Sequence, residues 1–137
     1  MNFYGKRFNW KQDMICIGND GSSFKGLDVY ADSENKIHIE GTSSKFLATT
    51  SSAVFETNSW FHLALVVNNA SSLKLYINGV SVLTAEGCSM VQNYTYPLKI
   101  GSAPWCGTIK NYMDVTQFFS TSKELTVQEV QTLYGYF

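Results

Sequence analysis

The chain is short of charge and proline and has no long apolar run, and each shortage removes a class of protein. Ten basic residues stand against eleven acidic ones among 137, a net charge of −1. With no basic excess to neutralise phosphates, a nucleic-acid partner is not expected. No stretch approaches the ~20 apolar residues that a membrane-spanning helix needs. The opening MNFYGKRFNW holds no apolar segment of secretion-signal length. The chain is therefore expected either to avoid that export route or to be the mature or excised form of something longer. Cysteine is scarce and odd in number: Cys16, Cys88 and Cys106. They form no CxxC pair, so no zinc or thioredoxin-type site is indicated. Cys88 and Cys106 flank one strand-like run and could join in an oxidising compartment; three separate thiols fit as well.

What is present is apolar and aromatic: 45% hydrophobic and 15% aromatic residues, too much for a disordered chain. Residues 1–137 are expected to form one domain with its own core. Short alternating runs recur between turn clusters. MICIG runs into GNDGS; GLDVYAD and KIHIEG flank the turn at residues 32–36 and read as a hairpin, with Leu27, Val29, Ile37 and Ile39 inward. Shorter strands are expected near residues 46–49 and 53–55. The stretch WFHLALVVNNASSLKLYINGVSV is the clearest. Asn78-Gly79 between two alternating runs specifies a two-residue type I′ turn, whose central residues both need positive φ. That turn sets Ile77 opposite Val80 and Leu75 opposite Val82, with Lys74, Tyr76 and Ser81 on the other face. The preceding run, residues 61–67, is apolar on both faces, as in a central strand covered on both sides. YPLKIG reads as a strand, and IKNYMDVTQFF alternates with Met113, Val115 and Gln117 on one side. At the end the period changes: Thr126-Val127-Gln128-Glu129 is a capping box, followed by Val130, Leu133 and Tyr134 at helical spacing. Roughly ten to twelve short strands and one short C-terminal helix predict an all-β, two-sheet antiparallel sandwich.

The segment from Ser59 to Val82 resembles the core hairpin of the concanavalin A-like lectin/glucanase superfamily, in its laminin-G-like jelly-roll branch. That family reads Trp-x-His-Val-Ala-Val-Val, a polar loop, then Leu-x-Leu-Tyr-x-Asn-Gly; Trp60, His62, Ala64, Tyr76, Asn78 and Gly79 match. LKIG, YMDVTQFF and LTVQEVQTLY follow in the family's order, although Gly107 lies farther from Asp114 than is usual there. The family's opening Leu-x-Phe-Asp-Gly strand has no counterpart, so the domain is expected to lack it or to receive it from another segment or subunit.

The resemblance implies a jelly roll and a choice of functions. β-Glucan hydrolases of this superfamily carry Glu-x-Asp-x-x-Glu, with two carboxylates flanking the scissile bond. The glutamates Glu34, Glu40, Glu56, Glu86, Glu124 and Glu129 do not reproduce it: Glu124 and Glu129 have the separation but not the intervening residues. No Gly-x-Ser-x-Gly occurs, and an enzyme is not expected. His62, in a doubly apolar strand, reads as a core histidine. Laminin-G-like domains often hold a rim Ca²⁺ through loop oxygens. Asn19, Asp20 and Asp32 are the residues that could do so, but each also suits a plain turn; no cofactor is expected.

For a sugar, aromatic rings and amides beside loops are the relevant chemistry. Asn93, Tyr94, Tyr96 and Trp105 are the candidates, with Trp10 and Tyr30 read as packed. A tryptophan beside Pro104 is costly to expose without a partner, although it also suits a lid over the core. Asn69-Ala70-Ser71 and Asn93-Tyr94-Thr95 match glycan-acceptor sequons. The expectation is a non-catalytic recognition module for a glycan or glycoprotein surface, acting outside the cell, at its surface or on a virion. The alternative is a structural or assembly protein, such as a viral-particle or appendage component, using the sandwich for contact with a protein partner or in a homo-oligomer.

Overall fold

A computed structural model describes residues 2–4, 12–17, 26–41, 47–68, 71–87, 98–101 and 114–136. Ten strands and one helix lie there: β1 Asn2–Tyr4, β2 Gln12–Ile17, β3 Leu27–Ala31, β4 Ile37–Glu40, β5 Leu47–Thr49, β6 Trp60–Asn68, β7 Ser72–Ile77, β8 Val80–Glu86, β9 Leu98–Ile100, β10 Asp114–Thr116 and α1 Val127–Tyr134. They form two five-stranded sheets, β10-β1-β6-β7-β8 and β5-β4-β3-β2-β9, and every recorded pairing is antiparallel. The expected all-β sandwich is what the chain adopts.

Alternation explains why the layers close on one another. Val29, Ala31, Ile37 and Ile39 from β3–β4 meet Phe61, Leu63, Leu73, Leu75 and Ile77 from β6–β7 in a single buried cluster. A side chain of this kind taken fully out of water contributes roughly 1.5–3 kcal/mol. At the hairpin tip Asn78 and Gly79 have φ of 51° and 75°, as the I′ turn demands.

The register then departs from the simple ladder. Ile77 does face Val80, but Leu75 faces Leu83 rather than Val82, with the pairing slipping between Leu75 and Tyr76. Val82 is the extra residue of a β-bulge, which keeps Leu83 as well as Val82 against the core.

Two other expectations are corrected. Residues 53–55 form no strand; Val54 N–H donates to the Asn35 carbonyl at 3.0 Å, and Phe55 plugs the core stacked on Phe61, ring centroids 4.4 Å apart. The Asp114 strand stops at Thr116 because Gln117 turns to φ 53°. Gln117 and Phe118 therefore do not continue its alternation, and Phe118 and Phe119 lie exposed.

The helix is where the capping box placed it. Thr126 Oγ1 accepts from Glu129 N–H at 3.3 Å, and Glu129 Oε2 accepts from Thr126 N–H at 2.9 Å. Lys123 binds the same carboxylate, and with these bonds the Glu129 carboxyl is lowered to about 2. The helix lies on the outer face of β6–β7, where Val130, Val66 and Tyr76 form a second small core. This accounts for the doubly apolar β6: one face meets the other sheet, the other meets α1.

Candidate functional site

The densest polar constellation among the described residues lies on the outer face of the second sheet, around the β3–β4 hairpin. Asp32 starts its turn. Oδ1 accepts the Glu34 and Lys36 amides at 2.8 and 3.0 Å, a side-chain-to-backbone turn of the kind aspartate favours. Oδ2 lies 2.7 Å from His38 Nε2. Burial alone would raise this carboxyl, but the His38 ring and the two amides outweigh it and hold it below its ordinary value. The other imidazole nitrogen, Nδ1, is 3.0 Å from Thr49 Oγ1 on β5. His38 is thus gripped from both ends.

Cross-strand pairing sets Tyr30 opposite His38, and the two rings stack with centroids 4.8 Å apart and planes 2° from parallel. Tyr30 O–H donates to Glu40 Oε1 at 2.7 Å. Burial first, and then the Glu40 carboxylate, push the phenol well above its usual value. The result is a fixed row of Thr49, His38, Asp32, Tyr30 and Glu40; beside it on the same face, Asp13 stands opposite Tyr30 and Asp28 opposite Glu40, buried at 2% and 0% exposure. Chemically the row presents oriented carboxylate and hydroxyl acceptors beside a stacked π pair. It suits a hydroxyl-rich ligand.

Asp32, one of the three residues that could offer oxygens to Ca²⁺ but also suited a plain turn, has both oxygens engaged by its turn and by His38. Asn19 and Asp20 lie outside the described residues, as do the sugar candidates Asn93, Tyr94, Tyr96 and Trp105, the sequon residues Asn69 and Asn93, and Trp10, Cys88 and Cys106. Cys16 is buried. Tyr30, read as packed, is only partly buried and belongs to the row. His38, Glu40 and Thr49 were not singled out as site residues in the sequence. The signal for His38 was available, since a hairpin turning at residues 32–36 must bring 30 and 38 together. Of Glu124 and Glu129, the second is absorbed by the helix cap and by Lys123.

His62 is the core histidine that was expected. It is 4% exposed, lies between β6 and α1 with its ring 5.9 Å from that of Tyr134, and is pushed by burial down to about 4. The unfolded chain, with an ordinary imidazole near 6.5, binds a proton between those values that the native state refuses. Stability should therefore be full above about pH 6.5 and fall as pH drops through 4. About 3 kcal/mol is expected to be lost across this window. Urea titrations at several pH values check it, and a His62→Gln variant should show a flatter profile over the same range.

An all-β jelly-roll sandwich with a preformed polar row on one outer face is the class this geometry defines. The family model Laminin_G_3, of the concanavalin A-like lectin/glucanases superfamily, matches residues 5–131, and the chain belongs to that family. A comparison with curated protein sequences gives no match. Among solved structures, the binding domain of Paraclostridial Mosquitocidal Protein 1 superposes with TM-score 0.67 at 18% identity, covering 98% of this chain and 35% of that one. The Ruminococcus gnavus IT-sialidase CBM40 bound to alpha2,3 sialyllactose gives 0.72 at 16%, covering 97% and 78%. The binding domain of Botulinum Neurotoxin DC in complex with SialylT gives 0.72 at 13%, covering 98% and 34%. This chain thus spans about a third of the length of both toxin domains. At such identities the shared property is the fold. No described helix is long and apolar enough to cross a membrane.

Proposed function

We propose that the chain is a non-catalytic glycan-recognition module that acts outside the cell or at its surface. The observation that carries the reading is the row on the second sheet, in which Tyr30 and His38 are stacked and held by Glu40, Asp32 and Thr49 before any ligand arrives. Hydrogen-bonding groups locked in place bind a sugar without the entropy cost of ordering them. The fold neighbours support the reading, since one is described bound to alpha2,3 sialyllactose and another in complex with SialylT. In this scheme Asn93, Tyr94, Tyr96 and Trp105 supply further amide and stacking contacts, and no metal takes part.

A glycan screen, run with and without Ca²⁺, tests the proposal. Binding should be indifferent to Ca²⁺ and at least about tenfold weaker in Tyr30→Ala, the equivalent of losing one or two hydrogen bonds. Trp105→Ala and Tyr94→Ala should weaken it too, with circular dichroism confirming that each variant folds. A screen with no binder, or full binding in all three variants, removes the proposal.

A further inference from the structure

In the Tyr30 row the polar hydrogens can be placed from the geometry. Asp32 Oδ1 accepts two backbone amides, at 2.8 and 3.0 Å, and the carboxyl is held below its ordinary value. It is a carboxylate, which accepts and never donates. His38 Nε2, 2.7 Å from Oδ2, must therefore carry the hydrogen in that contact. In a neutral imidazole the other nitrogen then bears a lone pair. That lone pair, on Nδ1, lies 3.0 Å from Thr49 Oγ1, and the threonine hydroxyl hydrogen is what satisfies it. Tyr30 gives its own hydroxyl hydrogen to Glu40 Oε1 at 2.7 Å.

Each of these hydrogens is consumed inside the row. The polarity runs one way: Thr49 donates to His38, His38 to Asp32, and Tyr30 to Glu40. What the row's side chains turn outward is oxygen. Thr49 is exposed, so the lone pairs of its hydroxyl face whatever docks there. The electrostatic field has the same sign, since the carboxylates of Glu40, Asp28 and Asp13 all act to raise the Tyr30 phenol. Lys36, the cation of the turn, holds its ammonium 2.6 Å from Glu34 Oε2.

We infer that the row selects a glycan by the glycan's own hydrogen donors: it takes neutral or amine-bearing sugars and refuses those that meet it with a carboxylate or a sulfate. A sugar hydroxyl or amine can donate to Thr49 Oγ1. A carboxylate there sets lone pair against lone pair, and both oxygens lose the water they were bonded to. Sialyllactose, the ligand of the CBM40 neighbour, accordingly falls outside the class this row accepts. The hydrogen placement stands on the structure alone; the ligand class rests on the glycan-module reading.

Two measurements test the inference. Long-range proton–nitrogen correlation spectra at about pH 8.5, where imidazole is ordinarily neutral, read the His38 ring, assigned through its backbone. Hydrogen on Nε2 and a bare Nδ1 are expected. Hydrogen on Nδ1, or on both nitrogens, overturns the inference whatever the ligand. A glycan array at the same pH then carries matched sets, each neutral glycan beside its sialylated, sulfated and amine-bearing forms. The neutral and amine-bearing forms should bind, with the sialylated and sulfated forms at least about tenfold weaker. Thr49→Lys, which puts a donor and a positive charge at the exposed position, should erase that preference. Hits confined to sialylated or sulfated forms, and lost in Tyr30→Ala, overturn the inference while leaving the glycan reading in place. An array with no hits, or with hits untouched by Tyr30→Ala, removes the row as a glycan site and the ligand class with it.

Discussion

Leu75→Ala is expected to cost the domain about 3 kcal/mol, within the 2–5 kcal/mol range for emptying a buried leucine site. Leu75 is 0% exposed and sits in β7, held by β6 on one side and β8 on the other. Its side chain lies in the cluster that joins the two sheets. Neither flanking strand can move in without breaking its own ladder, so the cavity should collapse only in part. The denaturant midpoint should fall while the slope stays as in the parent. Val80→Ala is the control: Val80 is 63% exposed in the same hairpin, and its loss should fall within about 0.5 kcal/mol. If the two variants were equal, the inward assignment of this strand would fail.

Tyr76→Ala should be at least as damaging, about 3–4 kcal/mol on the scale of buried aromatic truncations, but the damage should appear elsewhere. Tyr76 is 1% exposed on the opposite face of β7, where with Val66 it forms the seat for Val130 of α1. An eight-residue helix has little stability of its own and depends on such a seat. Its removal should release α1 before the sandwich melts. Limited trypsin digestion at Lys123, immediately before the helix cap, should accelerate strongly, and amide exchange in α1 should outpace that of β3 and β4. Leu75→Ala should produce no such selective loosening. Tyr76→Phe, which keeps the ring, should cost less than about 1.5 kcal/mol.

These two residues also show what the sequence discloses and what it withholds. Leu75 is legible from alternation and from the Asn78-Gly79 turn, because a two-residue turn fixes which positions face each other. Tyr76 was placed on the outer face correctly, yet nothing local says that a helix some fifty residues later will cover it. The double apolarity of β6 was the hint, and it was read as a covered strand without the cover being identified. The bulge at Val82 was invisible because a one-residue slip leaves an apolar pattern of Val82-Leu83 intact in either register. Residues 53–55 misled for a related reason: Val54 and Phe55 carry strand propensity, but the core claims Phe55 individually. At the candidate site the hairpin geometry made Tyr30 and His38 neighbours, while the part played by Thr49 depended on the pairing of a third strand.

The glycine at the hairpin tip has a practical consequence. A Cβ built on Gly79 would lie 3.1 Å from Tyr134 Cδ1, and its φ is 75°. Reverse turns are ordinarily the safest places to graft an epitope or open a chain for circular permutation. Here the loop is roofed by the last turn of a helix more than fifty positions away, so any graft would have to lift that roof. Protein engineers working on this scaffold should leave the tip intact.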